Sequence, residues 1–251
     1  MKYIFSLFFL CLSTILFSQQ KFISGGKITF ERKIAQFTLL ESQRGEDEND
    51  FWLEEFKKVY PKNVTDYYTL EFDLTRSLYK LEREIEENKY VINNLKPIES
   101  NYVFQDFSAN RSKLKKAIFE KEYQVQDSIS NFEWKITGEV RNIAGFECKK
   151  AITKICDSVV VVAFYTDEII VKGGPENFNG LPGMILGIAI PRLALTLFAT
   201  KLDISKPGSL SIVENTSKSK YVTREQVNKD LQKGLKEWGK TGKMIAWISS
   251  L

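Results

Sequence analysis

Short segments in which apolar and polar residues alternate recur along most of this 251-residue chain. The clearest is 68–75, which reads YTLEFDLT. Successive side chains of a strand point to opposite faces, so this period of two predicts a strand with one buried face. Similar patterns lie at 26–37, 90–92, 102–107, 117–125, 132–140, 146–155, 159–165, 184–190 and 193–204. The segment 77–87 fits either a strand or a helix.

Many short strands separated by polar turns favour an antiparallel arrangement over βαβ units. The sequence therefore predicts a mainly β (α+β) fold, with a curved antiparallel sheet or half-barrel of about eight to ten strands. In the segment 132–140, Phe132, Trp134, Ile136 and Val140 are expected to face inward.

Two segments have the spacing of amphipathic helices. A short helix is predicted from Asp50, because Trp52 and Phe56 share one face. Pro61 is expected to end this helix. Near the C-terminus, Thr223 and Gln226 form a capping box, and a helical segment is predicted at about 223–239, ended by a C-cap glycine at 239. This helix is expected to cover the apolar face of the sheet.

The first twenty residues have the layout of a secretory signal peptide, with Lys2, an apolar run at 3–17 and the small residue Ser18. The run is too short to span a bilayer, which needs roughly 20 apolar residues. We therefore predict a signal peptide at 1–20, a single domain at 21–251, and export to the periplasm or the medium. No transmembrane segment is expected in the mature chain, because Pro191 and Arg192 interrupt the apolar run at 184–199.

The chain has no histidine, which removes whole classes of mechanism. A Ser-His-Asp triad, a Cys-His pair and an imidazole-based zinc site are all excluded. The formal net charge of +4 is spread without a basic block, so no nucleic-acid partner is expected. We predict no catalytic residue, no metal and no cofactor, and the partner stays unknown.

Two patterns would fit a hydrolase, which is the less favoured alternative. The strings SLYK at 77–80, SAN at 108–110 and KTG at 240–242 occur in the order of the serine β-lactamase signature, with Ser77 and Lys80 as the reactive pair. Strings this short match easily by chance. Carboxylates offer the second route, because Glu168 and Glu176 could approach each other across a loop.

Two cysteines follow the predicted signal peptide, Cys148 and Cys156. Residues eight apart on one strand lie roughly 26 Å apart, whereas bridged Cα atoms need about 6 Å. A disulfide would require a turn between them, so a buried free thiol at Cys148 is favoured and the disulfide is the alternative.

The stretch 171–190 concentrates the turn signals of the chain and reads VKGGPENFNGLPGMILGIAI. Within it, Leu181 to Met184 fits a type II turn, in which Pro182 presets one central residue and Gly183 takes a positive φ. An apolar run follows at once. The stretch therefore predicts a tight turn that leads into a buried strand.

The phrase Gly180, Leu181, Pro182, Gly183, Met184, Ile185 resembles the signature of the GLPGLI family of exported bacterial proteins, with Met184 in place of a leucine. Upstream, AFYTDEI at 163–169, GPENF at 174–178 and IAGFECKKA at 143–151 also look like that family. The resemblance implies an exported envelope protein of bacteria that have an outer membrane, with a curved sheet wrapped around a helix. It implies no reaction.

Two non-catalytic functions follow as hypotheses. In the first, Trp134, Phe164 and Tyr165 face an apolar ligand; the alternative is that these rings are core. In the second, the loop 173–180, with Gly174, Pro175 and Phe178, recognises an outer-membrane protein partner. The alternative for this loop is a buried plug that closes one end of the sheet.

Overall fold

The computed structural model describes residues 22–43, 50–156, 158–204, 210 and 220–251. The predicted signal peptide at 1–20 lies outside the described residues. Within them, eleven strands form one antiparallel sheet. The strands are β1 Gly26–Ala35, β2 Asn63–Phe72, β3 Arg76–Arg83, β4 Tyr102–Asp106, β5 Arg111–Ile118, β6 Lys121–Asp127, β7 Lys135–Ile143, β8 Phe146–Ile155, β9 Val159–Thr166, β10 Met184–Ile190 and β11 Leu195–Asp203.

The sheet is two meanders joined at its middle, in the order β6-β5-β4-β3-β2-β1-β11-β10-β9-β8-β7. The chain runs outward from β1 to β6, starts again at the opposite edge with β7, and returns to pair β11 with β1. The sheet stays open, with β6 and β7 as its edges. The predicted mainly β class and curved antiparallel sheet are confirmed, with one strand more than the upper limit of ten.

Cross-strand register places one row of buried apolar side chains on a common face, which we call the inner face. Starting at β1, each residue of the row is paired with the next: Ile28, Leu70, Tyr79, Val103, Leu114 and Val125. All six are buried. Because side chains directly opposite each other on antiparallel strands interact, this row ties six strands into one core.

Four α-helices accompany the sheet: α1 Gln36–Gln43, α2 Asp50–Val59, α3 Arg224–Gly234 and α4 Gly239–Ser249. The Thr223 side chain accepts a hydrogen bond from the Gln226 amide at 3.2 Å, which confirms the predicted cap of α3. Leu231 and Ile245, from α3 and α4, belong to the same hydrophobic core as the sheet.

The helical segment predicted at about 223–239 comprises α3 and a 3₁₀ turn at Lys236–Trp238, whose C-cap is Gly239 as predicted. The helix α4 that follows was not predicted. Gly239 has a φ of +54°, which a residue without a Cβ adopts easily, and the chain redirects there into α4.

The predicted strand at 117–125 was wrong. It is divided between β5 and β6 by a turn at Phe119, whose φ is +56°.

The inward face predicted for 132–140 is confirmed at Phe132 and Trp134, which pack against the hydrophobic core, and wrong at Ile136 and Val140. Ile136 and Val140 lie on β7 and are 49% and 54% exposed. The strand is at the edge of the sheet, and its register with β8 shifts between these two residues. A bulged edge strand does not keep a regular alternation of buried and exposed positions. The ambiguous segment 77–87 is strand β3 up to Arg83.

The turn before β10 differs from the predicted type II turn. The Gly183 amide donates to the Leu181 carbonyl at 2.7 Å, which closes a three-residue turn around Pro182. Gly183 does not have a positive φ. Within the stretch 171–190, the glycine with a positive φ is Gly180, at +89°. A Cβ at position 183 would lie 2.0 Å from the Thr166 carbonyl oxygen, so glycine is required there by the close approach of β9.

Candidate functional site

A cavity of about 1100 Å³ lies between the inner face of β3 to β6 and the two C-terminal helices. The helical side of the cavity is aliphatic, with Leu231 from α3, Leu235 directly after α3, and Ile245 and Ile248 from α4, whereas many of the other lining residues are polar. These pairs are spaced by four and three residues, so each pair lies on one side of its helix. The helices therefore turn their apolar sides towards a sheet whose own side chains are partly polar.

Two polar side chains reach the cavity from the sheet by the same register. Tyr79 on β3 is paired with Val103, and Val103 is paired with Leu114 on β5. Lys116 follows Leu114 by two residues, so its side chain points to the same face of the sheet. Both Tyr79 and Lys116 line the cavity.

Among the described residues, the Tyr79 hydroxyl has no hydrogen-bond partner, although the residue is only 2% exposed. Its ring stacks on that of Tyr68, with centroids 5.1 Å apart and planes 5° apart. Burial raises the pKa of Tyr79 well above its ordinary value, so the hydroxyl is neutral. A buried hydroxyl without a partner costs roughly 1–3 kcal/mol.

The Lys116 ammonium is enclosed but poorly bonded. The Lys116 side chain is 16% exposed, and its Nζ lies 3.4 Å from the Ser249 carbonyl oxygen and 4.0 Å from Glu176 Oε2. Burial lowers the pKa of Lys116, an effect that the Glu176 carboxylate partly opposes. An ammonium has three N–H donors, so this one has room for a closer acceptor.

Arg32, which also lines the cavity, has a close carboxylate partner, although its buried Nε atom has no hydrogen-bond partner among the described residues. Its Nη2 atom donates to Asp66 Oδ2 at 2.7 Å and to the Leu95 carbonyl at 2.8 Å, and its guanidinium lies 5.2 Å from the Tyr68 ring centroid. Burial alone would lower the pKa of Arg32, but Tyr68 and Asp66 raise it overall. Asp66 neutralises this cation, which leaves Lys116 as the less compensated charge of the cavity.

Aromatic rings mark the rim of the cavity. Trp238 is 52% exposed and meets Phe119 edge to face, with ring centroids 5.7 Å apart. Beside them, Lys121 Nζ pairs with Asp230 Oδ2 at 2.8 Å and joins β6 to α3. The rim is therefore a mixed surface of exposed rings and paired charges.

The three residues expected to face a ligand do not line this cavity. Trp134 donates from Nε1 to the Asn179 carbonyl at 2.9 Å, and Tyr165 is buried. Phe164, adjacent to Tyr165 on β9, points to the opposite face and lies 6.2 Å from the ring of Phe198. The cavity is formed by β3 to β6, whereas these residues belong to the other half of the sheet.

The loop 173–180 is mostly buried, including Gly174, Pro175 and Phe178. Phe178 is 2% exposed and packs against Phe132 and Trp134, at centroid distances of 5.4 and 6.4 Å. Of the two interpretations of this loop, burial favours the plug.

Two side chains of the same loop connect it to the cavity and to the C-terminus. Asn177 Nδ2 donates to the Leu251 carbonyl at 2.6 Å. The neighbouring Glu176 reaches the cavity. The stretch 171–190 therefore contributes one wall residue to the site.

The remaining sequence-based alternatives are not assembled into sites. Both cysteines are free, so the alternative of a disulfide between Cys148 and Cys156 is wrong; burial raises the pKa of the Cys148 thiol to about 12. Ser77 and Lys80 are an odd number of residues apart on β3 and so point to opposite faces. Glu176 lines the cavity and Glu168 does not.

Among the residues that the structure describes, no three His, Cys, Asp or Glu side chains are grouped as they would be to bind a metal ion. No helix in this described part of the chain has both the length and the apolar character to cross a membrane.

Sequence reasoning missed Arg32, Tyr79 and Lys116, although one signal was available. Arg32 interrupts the apolar face formed by Ile28, Phe30 and Ile34 on β1. A charged residue at an inward position of an alternating strand indicates a buried polar site. Lys116 also lies at an inward position of its strand, but the predicted strand at 117–125 begins after it, so the sequence pattern did not indicate its facing.

Comparison with known proteins gives a family and a fold. A family profile described as "N-glycanase peptide, N-terminal domain" matches residues 82–226, which is more than half of the chain. The phrase at 180–185 lies within that range, and nothing tests its resemblance to the GLPGLI family. No curated protein sequence matches the chain.

The crystal structure of PNGF-II in space group C2 shares the fold, with a TM-score of 0.52, 16% sequence identity, and coverage of 90% of this chain and 33% of that one. A second crystal form of PNGF-II, in P21, aligns with a TM-score of 0.48 and 17% identity over 76% of this chain and 30% of that one. The chain thus spans about a third of the length of PNGF-II. On the extent of the profile match, this chain belongs to the family described as N-glycanase peptide, N-terminal domain.

Proposed function

We propose that this domain is a non-catalytic binding or carrier module whose cavity holds an apolar ligand. The observation that supports this is the cavity of about 1100 Å³ with aliphatic side chains from two helices along its walls. Protein interiors are close-packed, so a space of this size between a sheet and its covering helices is not a packing defect. It is of the size of ligand pockets, which are mostly apolar with a few polar groups.

Recognition of an outer-membrane protein through the loop 173–180 has less support. The ring of Phe178, the residue expected to make the contact, packs inside the molecule. A partner would have to expose that ring first. The cavity needs no such rearrangement, so we place the function there.

A glycan is the second candidate ligand. The family description names an N-glycanase, and the exposed Trp238 at the cavity rim offers an amphipathic ring surface to such a ligand. The chain spans only a third of PNGF-II, so an N-glycanase reaction is not part of this proposal.

Gly234 offers a way to test the cavity directly. It lines the cavity, and a Cβ added there would meet nothing within 4 Å. We expect the wild-type protein to bind the neutral fluorescent probe N-phenyl-1-naphthylamine, and Gly234→Trp to lose that binding because the indole fills the space. Gly138→Trp is the matched control, since Gly138 lies on β7, and a Cβ there also meets nothing within 4 Å.

The proposal fails if the wild-type protein binds no probe, or if Gly234→Trp binds it as the wild type does. Circular dichroism of all three proteins checks that the fold is kept. If the wild-type protein does not bind the probe but binds an oligosaccharide in calorimetry, the result would favour a glycan as the ligand.

We also propose export of this protein through the inner membrane, to the periplasm or the medium. The support is the pattern at 1–20 and the resemblance to the GLPGLI family at 180–185. N-terminal sequencing of the protein from its producing cells tests it. A mature chain that begins near position 20 is expected, and one that still begins at Met1 would contradict it.

A further inference from the structure

We infer that the cavity takes a long-chain carboxylate, with its head group bound by the Lys116 ammonium and the Tyr79 hydroxyl and its alkyl chain along the aliphatic walls. This inference rests on the proposed binding function and names the ligand class. It is argued from the hydrogen-bonding state of the polar groups that line the cavity.

The Lys116 ammonium lacks a short acceptor. Its contacts are the Ser249 carbonyl oxygen at 3.4 Å and Glu176 Oε2 at 4.0 Å, and the second is beyond hydrogen-bond distance. Charge-assisted N–H···O bonds are normally about 2.7–2.9 Å long. A carboxylate that entered the cavity would supply the close acceptor that neither contact provides.

The Tyr79 hydroxyl is the second group without a partner. It is a donor as well as an acceptor, and it lines the same cavity as Lys116 from two strands away. A carboxylate has two oxygens, which suits one hydroxyl donor and one ammonium donor. A neutral alkyl ligand would leave both groups as they are.

The other charges of the cavity are consistent with an anionic head group. Six cationic side chains line it, against three acidic ones. The Arg32 guanidinium is paired with the Asp66 carboxylate at 2.7 Å, so its charge is more fully compensated than that of Lys116. Glu176 is the nearest acidic group to Lys116, but it makes no hydrogen bond with it. A cleft with an excess of one charge sign attracts ligands of the opposite sign.

The aliphatic walls define the rest of the ligand. Leu231, Leu235, Ile245 and Ile248 line the same cavity as Lys116 and Tyr79 and present hydrocarbon to it. Burial of each methylene contributes about 0.8 kcal/mol, so a long alkyl chain binds more tightly than a short one. The ammonium at Lys116 and the aliphatic walls together favour an amphiphile as the ligand over a small anion.

The test compares two ligands that differ only in the head group, hexadecanoic acid and hexadecan-1-ol. Each is titrated against the wild-type protein carrying N-phenyl-1-naphthylamine, and displacement of this neutral probe gives the affinity. We expect the acid to bind about 10-fold or more tightly than the alcohol, because the alcohol oxygen can accept a hydrogen bond from Lys116 but carries no negative charge to pair with the ammonium. Lys116→Met should abolish this preference.

Lys80→Met is the matched control, because Lys80 also lines the cavity but is exposed. It should keep the preference for the acid. Tyr79→Phe should reduce the preference without abolishing it, and it serves as the second variant if Lys116→Met does not fold.

Equal affinities for the acid and the alcohol in the wild type would overturn this inference while the proposed binding function stands. An unchanged preference in Lys116→Met would do the same. If neither amphiphile nor the probe binds, the binding function itself is refuted.

Discussion

The buried ion pair between Arg32 and Asp66 is the interaction whose loss we expect to destabilise the fold most. Asp66 is fully buried, and its carboxylate accepts hydrogen bonds from Arg32 Nη2 at 2.7 Å, the Tyr90 hydroxyl at 2.5 Å and Asn88 Nδ2 at 3.2 Å. Replacement by alanine removes all three at once. It also leaves the Arg32 cation buried, with the Leu95 carbonyl as its remaining hydrogen-bond acceptor.

Removal of one partner of a buried ion pair destabilises a protein by about 3–5 kcal/mol, because the other charge is left without compensation. We expect Asp66→Ala to fall in this range. For a domain of this length, each kcal/mol lowers the melting temperature by roughly 2–4 °C, which gives a decrease of about 6–20 °C. The double variant Arg32→Met with Asp66→Leu should recover most of this loss, since no buried charge is left over.

Urea unfolding, followed by circular dichroism and fluorescence, measures these free energies for the wild type, Asp66→Ala, the single variants Arg32→Met and Asp66→Leu, and the double variant. The coupling energy of the resulting cycle isolates the pair. A loss below about 1 kcal/mol for Asp66→Ala would refute the argument, because that is the range of an exposed pair. So would a double variant that is less stable than either single variant.

Three further predictions concern single positions. Tyr79→Phe should keep or raise the ligand-free stability, by up to about 1–3 kcal/mol in urea unfolding, since it removes a buried hydroxyl without a partner; a clear loss would contradict this. The pKa of Lys116 is lowered in the folded state. The unfolded state therefore binds more protons, and stability relative to Lys116→Met should rise with pH up to about 10.4. Urea midpoints at several alkaline pH values measure this, and a flat or falling difference would refute it. Gly183→Ala should prevent normal folding, because its Cβ would lie 2.0 Å from the Thr166 oxygen, whereas Gly138→Ala meets nothing within 4 Å and should melt within a few degrees of the wild type.

The fold was largely predictable from local patterns. The alternation at 68–75 predicted the second half of β2, which ends at Phe72, and its Leu70 pairs with Ile28 and Tyr79 of the buried row. The capping box at Thr223 gave the start of α3, since a cap is a contact between residues three apart. Such features depend on neighbours in the sequence, so the sequence alone is sufficient to find them.

Predictions failed where a long-range contact overrides the local pattern. Ile136 and Val140 alternate as a half-buried strand would, but they lie on the edge strand β7. Gly183 suits a type II turn locally, yet the approach of β9 at Thr166 decides its conformation. Neither strand order nor the distance between two strands is encoded in a period of two.

The cavity was harder to predict because its residues come from distant parts of the chain. Tyr79, Lys116, Glu176 and Ile245 lie on two strands, a loop and a helix. Each has an ordinary local context, and the sequence drew attention to the aromatic residues of β9 instead. The available signal was a polar residue in an inward register, as at Arg32, which identifies one buried position without revealing its neighbours.

The polar groups of the cavity bear on both stability and function. A sequence selected for stability alone would place phenylalanine at 79 and an apolar residue at 116, since a hydroxyl without a partner and a poorly bonded ammonium both disfavour the folded state. Arg32, at the same inner face, differs from Lys116 in having a close carboxylate, that of Asp66 at 2.7 Å, although its Nε atom also lacks a hydrogen-bond partner among the described residues. Polar groups without partners are expected at functional sites. The Tyr79 hydroxyl and the Lys116 ammonium line one cavity with few protein partners, which is the structural reason to assign ligand binding to it.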